Sequence, residues 1–139
     1  MPVVLDTNVI VSGLRSNQGA SYQILMLLYE QKFTLALSTA LILEYEDVLK
    51  RPEMRIPLEH QAIEDILDYL ASIAYRPRLY YTWRPAIRDS KDDHLLELAW
   101  HAQSEYIVTY NIKDFVGSEK FGIQAIQPRE FLQMQRSTT

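Results

Sequence analysis

The side chains best suited to chemistry are four acidic residues from separate parts of the sequence: Asp6, Glu44, Asp93 and Asp114. Each lies beside the end of a predicted strand, and α/β sheets bind ligands beyond the carboxyl ends of their strands. Four carboxylates in one pocket would repel one another unless a cation neutralised them. Since the chain has no cysteine and oxygen ligands suit hard ions, the expected cofactor is Mg²⁺ or Mn²⁺. Such an ion activates water and neutralises a scissile phosphate, which is the chemistry of phosphodiester hydrolysis.

Each of these acids also has an ordinary structural interpretation. An Asp directly after a strand, such as Asp6, is often a turn residue or a helix cap. The segment 90–93, which includes Asp93, resembles a capping box at the start of a helix. Glu44 and Glu46 lie about equally far, roughly 100°, from the centre of the apolar face of their helix. Helical geometry therefore does not choose between these two glutamates.

Strands and helices that alternate along the chain must position these acids. Apolar runs predict strands at 3–5, 33–37, 79–83, 106–109 and 123–126. Helical spacing predicts helices at 22–29, between Ser38 and Arg51, after Pro57, from Ser90 and from Pro128. This alternation predicts a mainly parallel central sheet covered by helices on both faces, a three-layer α/β/α fold. The length of 139 residues predicts a single domain over residues 1–139.

Composition limits the compartment and the partners. No apolar run approaches the roughly 18–20 residues that cross a bilayer, and the first residues do not resemble a signal peptide. The lack of cysteine excludes a disulfide scaffold. We therefore expect a cytoplasmic protein with no membrane partner. The net charge of −4 gives no overall attraction to nucleic acid, so any phosphate contacts must come from local basic residues.

Basic residues with aromatic residues among them occur in the segment 75–91. Guanidinium groups for the backbone and flat rings for unpaired bases would suit single-stranded RNA. The candidate contacts are Arg84, Arg88 and Lys91, and Arg15 is a further candidate in the loop after the first acid. An ordinary strand and loop with aromatic residues in the core is the alternative interpretation. We expect the three histidines to lie on helix surfaces rather than to bind metal: His60, His94 and His101.

Four short motifs, which together cover nearly the whole chain, resemble those of PIN domains. They are Val3-Val-Leu-Asp6-Thr7-Asn8, Ser38 with Glu44 six residues later, Asp89-Ser-Lys-Asp92-Asp93, and Thr109-Tyr-Asn111-Ile-Lys-Asp114. The resemblance implies a metal-dependent ribonuclease in which the four acids named above are catalytic and bind Mg²⁺ or Mn²⁺. It also selects Glu44 over Glu46, and it leaves Asp92 as the alternative to Asp93.

The same resemblance implies a supporting set of residues around the metal ligands. This set is Thr7, Asn8, Asn111 and Asp92. The chain departs from the family pattern at one position, because many PIN domains carry Asp where Asn111 stands. Asp114 would then supply the fourth carboxylate, with a second metal site weakened.

The pair Arg51-Pro52 after the second motif resembles a PIN subgroup of toxin components, which are related to VapC-like ribonucleases of toxin–antitoxin pairs. The resemblance implies an RNA substrate, an antitoxin protein partner, and a homodimer or higher homo-oligomer. The helix at 22–29 is apolar on nearly all sides, so part of it is expected to face such a partner, and burial on both sides is the alternative. The alternatives are a noncatalytic PIN scaffold that binds RNA or protein, a housekeeping RNA-processing nuclease, and a DNA-directed flap endonuclease.

Overall fold

Four short parallel strands form the centre of the protein, as described by a computed structural model covering residues 1–79 and 93–137. The strands are β1 (Pro2–Leu5), β2 (Thr34–Leu35), β3 (Tyr106–Val108) and β4 (Gln124–Ile126). Their order in the sheet is β2-β1-β3-β4, and every neighbouring pair is parallel. β1 is therefore an inner strand, and Leu5 at its end pairs with Val108 at the end of β3.

Six α-helices surround the sheet within the described ranges. They are α1 (Thr7–Arg15), α2 (Ala20–Tyr29), α3 (Thr39–Leu49), α4 (His60–Ile73), α5 (Asp93–Ala102) and α6 (Pro128–Ser137). Short 3₁₀ helices at Pro52–Met54, Ile112–Phe115 and Ser118–Phe121 complete the connections. The arrangement confirms the predicted α/β/α fold with a mainly parallel sheet. α1 is an addition to the predicted helices, and it begins directly after Asp6.

Several sequence predictions concern residues outside the described ranges. They include all but the first residue of the strand at 79–83 and the start of the helix at Ser90. They also include the acid Asp92 and the candidate RNA contacts Arg84, Arg88 and Lys91. The remaining predicted elements are all present. No helix in the described part of the chain is both long enough and apolar enough to span a membrane.

Local sequence explains how α3 is placed against the sheet. The Ser38 hydroxyl accepts a hydrogen bond from the backbone N–H of Leu41 at 3.1 Å, which caps the helix. Tyr45 is fully buried, and its hydroxyl donates to the carbonyl oxygen of Leu5 at 2.6 Å. The helix ends before Pro52, which cannot continue it. The Tyr45 contact fixes α3 against the carboxyl end of β1, so Glu44 is carried to the edge where Asp6 lies.

The two faces of α2 differ in burial. Ser21, Ile24 and Leu28 are buried against the rest of the fold. By contrast, Met26 is 40% exposed and Tyr29 is 63% exposed. The helix therefore presents large apolar side chains to the surface, in agreement with the prediction that part of it is not covered by the core.

Candidate active site

Asp6 lies at the junction between β1 and α1. Its backbone N–H donates to the carbonyl oxygen of Val108 at 2.9 Å, which extends the pairing of β1 with β3 by one residue. Its Oδ1 atom accepts from the backbone N–H of Thr7 at 2.7 Å and so caps α1. The side chain is only 8% exposed. Asp6 is thus both the predicted cap and a buried carboxylate at the carboxyl edge of the sheet.

Thr109 holds the second oxygen of this carboxylate. Its hydroxyl donates to Oδ2 of Asp6 at 2.7 Å, and the Thr109 side chain is fully buried. The same hydroxyl oxygen accepts from the backbone N–H of Asn111 at 3.0 Å. Thr109 was not among the predicted partners of Asp6. The available signal was the parallel pairing of β1 and β3, since the residues that follow two paired strands lie side by side.

Glu44 joins Asp6 through Thr7. The Thr7 hydroxyl donates to Oε2 of Glu44, while its backbone N–H serves Asp6. The other oxygen of Glu44, Oε1, lies 3.1 Å from Nε2 of His94 at the start of α5. Glu46, by contrast, forms an ion pair with Lys50 at 2.9 Å, one turn further along α3. The structure therefore places Glu44 rather than Glu46 beside Asp6.

The pKa values of Asp6 and Glu44 are shifted in opposite directions. Burial is the main cause that raises the pKa of Asp6 above its ordinary value, and the nearby charge of Glu44 raises it further. The hydrogen bonds from Thr109 and Thr7 act in the opposite direction. For Glu44, the hydrogen bond with His94 is the main cause that lowers the pKa, and the Thr7 hydroxyl contributes in the same sense. Thr7 therefore bonds to both Asp6, whose pKa is raised, and Glu44, whose pKa is lowered.

Asp114 shares a cleft with Asp6. The cleft has a volume of about 680 Å³. Its lining residues are Asp6, Thr7, Asn8, Val11, Ser12, Arg15, Val48, Met54, Tyr110, Asn111 and Asp114. The backbone N–H of Asp114 donates to the carbonyl oxygen of Asn111 at 3.0 Å, within the 3₁₀ helix that follows β3. This turn brings Asp114 to the cleft in which Asn111 also lies.

Arg15 and Asn8 are the other candidate residues around this cleft. The guanidinium Nε of Arg15 donates to the carbonyl oxygen of Met54 at 2.9 Å, so the exposed side chain is held at the rim. Asn8 was predicted to support Asp6. Its amide instead contacts the segment after β3: Nδ2 donates to the Thr109 hydroxyl at 3.5 Å and Oδ1 accepts from the backbone N–H of Tyr110 at 3.4 Å. Its support for Asp6 is therefore indirect.

The described structure does not bring the four predicted acids into one cluster. Within residues 1–79 and 93–137, no three His, Asp or Glu side chains lie close enough together to hold a metal ion among them. Glu44 and Asp93 are absent from the lining of the cleft that holds Asp6 and Asp114. Both oxygens of Glu44 already have hydrogen-bond partners, which explains why Glu44 does not extend into the cleft. Asp93 is half-buried at the first position of α5, next to His94.

The oxygen donors of the cleft nevertheless fit a hard divalent cation. Mg²⁺ binds proteins through one or two carboxylates and keeps several of its waters, so it does not need three carboxylates. Asp6 and Asp114 supply two carboxylates to the same space. Because burial raises the pKa of Asp6, a cation beside this carboxylate would offset the cost of its buried charge.

The chain matches a family model described as a PIN domain over residues 2–113. The matched range contains Asp6, Glu44 and Asp93, and it ends one residue before Asp114. No curated protein and no solved structure matches the chain at a significant level.

Proposed function

Because this chain belongs to the PIN domain family, a superfamily of nucleases, we propose that it is a divalent-metal-dependent endoribonuclease that hydrolyses RNA phosphodiester bonds. The observation that carries the proposal is the cleft at the carboxyl edge of the sheet, which is lined by Asp6, Asp114 and Arg15. Two carboxylates that can hold a divalent ion and one guanidinium that can contact a phosphate thus surround a single opening.

Asp6 and Asp114 would hold the ion, and Glu44 and Asp93 would complete the acidic set around it. When bound, the divalent ion supplies activation of water and neutralisation of charge on the scissile phosphate. The residues of the chain orient the carboxylate of Asp6. Thr7 and Thr109 each hold one oxygen of Asp6, so this carboxylate does not rotate freely. Such fixed partners of ligand residues commonly matter for metal affinity and for rate.

Arg15 is the side chain in the cleft with the charge needed to attract the substrate. The acids repel phosphate, so binding needs a cation on the same rim. Arg15 is exposed, and its guanidinium is anchored to Met54, through Nε to the carbonyl oxygen and through Nη2 to Sδ. It can therefore contact a phosphate oxygen of the strand that enters the cleft.

A nuclease assay with matched RNA and DNA oligonucleotides tests this function. We expect cleavage of RNA in Mn²⁺ or Mg²⁺, none in chelator, and loss of cleavage in Asp6→Asn. Asp68→Asn, which removes an equal charge on the exposed face of α4, serves as the matched control and should retain full activity. Binding without cleavage would favour the noncatalytic scaffold, and preferential cleavage of DNA would favour a flap-type nuclease. Either result would overturn the proposal.

We further propose that the nuclease is the toxin of a cytoplasmic toxin–antitoxin pair. An apolar groove of about 420 Å³ between α1, α2 and α4 supports a protein partner. It includes the exposed side chains of Met26 and Tyr29, and such exposed apolar surface is typical of interaction sites. Asp65 also lines the groove and suits a basic side chain of the antitoxin. A second copy of this chain, in a homodimer, is the alternative occupant, and light scattering of the purified chain distinguishes the two.

A further inference from the structure

Tyr110 is held at both ends beside the cleft. Its hydroxyl oxygen lies 2.5 Å from Oγ of Ser21 on α2 and 3.3 Å from Oγ of Ser12 on α1. Its backbone N–H donates to Oδ1 of Asn8 at 3.4 Å. The preceding residue, Thr109, is buried and bonded to Asp6. Few rotations remain open to this ring, so a ligand that binds it would not have to order it first.

The ring of Tyr110 is nevertheless open to solvent. The residue is 40% exposed although its hydroxyl is bonded to Ser21, which is buried. Tyr110 lines the cleft of Asp6 and Asp114, and it also lines a second pocket of about 400 Å³. The other residues of that pocket are Gly19, Ala20, Gln23, Gln127, Pro128, Arg129 and Leu132. Tyr110 therefore forms a wall shared by the carboxylate cleft and a neighbouring pocket.

We propose that Tyr110 is a substrate-binding residue that stacks on a base next to the scissile phosphate, with the adjoining nucleotide in the second pocket. The inference rests on the proposed ribonuclease function and deepens it by assigning a base subsite. Stacking on a flat ring is available to every base and does not depend on phosphate charge, so it suits a site whose acids repel the backbone. Arg129, exposed at the second pocket, provides a cation for the next phosphate.

A base scan of RNA binding tests this subsite without cleavage. The probe is a short fluorescent single-stranded RNA, bound in chelator by the full chain and followed by anisotropy, with each base in turn replaced by an abasic sugar. We expect Tyr110→Leu to weaken binding of the intact RNA about tenfold, within the range of alanine substitutions at stacking residues. Tyr110→Phe keeps the ring and should retain most of the affinity. Trp100→Leu, which removes an exposed aromatic ring on α5 outside both pockets, should leave binding unchanged.

The decisive readout is the coupling between the ring and one base. For wild type, one abasic substitution should cost about as much as Tyr110→Leu, and it should cost nothing further in Tyr110→Leu. Intact and abasic RNA are compared on the same protein each time, so a difference in stability between wild type and Tyr110→Leu does not affect the result. If the loss of affinity from Tyr110→Leu and the loss from the abasic substitution multiply at every position of the RNA, Tyr110 stacks on no base and the inference is wrong. Cleavage by wild type in Mn²⁺ is scored separately: its failure overturns the proposed function, whereas the coupling alone decides the role of Tyr110 in binding.

Discussion

The Nε2 atom of His94 lies 3.1 Å from Oε1 of Glu44, so the first turn of α5 is joined to the middle of α3. The other oxygen of Glu44 accepts from Thr7, which in turn holds Asp6. His94 was expected on a helix surface; its side chain is 29% exposed and contacts Glu44, whereas His60 is exposed as expected. His94 lies outside the apolar stripe of its own helix, and α5 packs against α3, the helix that carries Glu44. It is a half-buried partner of the acidic residues.

The position of Glu44 predicts that substitutions of Glu44 and Glu46 will differ greatly in their effect on RNA cleavage. Glu44→Gln should lower RNA cleavage by about 100-fold, because it removes the charge beside Thr7 and Asp6. Glu46→Gln should leave cleavage nearly unchanged, since Glu46 pairs with Lys50 on the other side of the helix. Rates from single-turnover assays under identical conditions provide the comparison. A large loss in Glu46→Gln with an active Glu44→Gln would reverse the assignment.

The lowered pKa of Glu44 predicts a pH-dependent contribution to stability. Its folded pKa lies below the ordinary value of 4.5, so its ionised form stabilises the fold above that value. This contribution is lost as the pH falls through the folded pKa. In chelator and near neutral pH, Glu44→Gln should lower the free energy of unfolding by less than about 1 kcal/mol, since the side chain is partly exposed. Urea titrations at several pH values should show the difference shrinking in acid; a constant difference would contradict this origin.

Binding of a divalent ion at the cleft predicts thermal stabilisation. A metal that binds only the folded state adds about 2.7 kcal/mol when its concentration is a hundred times Kd. Mn²⁺ or Mg²⁺ should then raise the Tm of wild type by about 5 °C or more. Asp6→Asn should reduce this shift, while Asp68→Asn should show the full shift. Equal shifts in all three proteins would place the ion elsewhere.

The position of Arg15 predicts a change in the salt dependence of RNA binding. Each phosphate contact with single-stranded RNA contributes a slope of about 0.7 in log Kd against log salt concentration. Arg15→Gln should lower the slope by about this amount, measured by anisotropy in chelator. Lys32→Gln removes an equal charge from the turn after α2, outside the cleft, and should leave the slope as in wild type. A slope that is unchanged in Arg15→Gln would exclude Arg15 from the phosphate contacts.

The toxin proposal predicts an effect on the host cell. Expression of the chain alone should slow growth, and Asp6→Asn expressed to the same level should relieve the effect. Growth curves with matched protein levels provide the measurement. If wild type is harmless at high expression while it cleaves RNA in vitro, a housekeeping role in RNA processing replaces the toxin role.

Most of the helices and strands, though not α1, could be predicted from the amino-acid sequence, which also indicated the kind of chemistry. Apolar runs that end in polar residues predict β1 and β3, and Ser38 predicts the start of α3, because these signals depend on residues close together in the chain. Since all the candidate ligands are oxygen atoms and cysteine is absent, the prediction of a hard cation needs no coordinates. The order of the acids along the chain also sufficed for the resemblance to PIN domains.

The side chains that bond to these acids could be identified only from the packed fold. Thr109 and Asp6 are 103 residues apart and meet because β1 and β3 pair in parallel. The contact between His94 and Glu44 likewise depends on how α5 packs against α3. Helical and strand periodicities define the faces of one element but not which element will cover them. The bonds of Glu44 to Thr7 and His94 therefore required the packed fold, since they join elements that are distant in sequence.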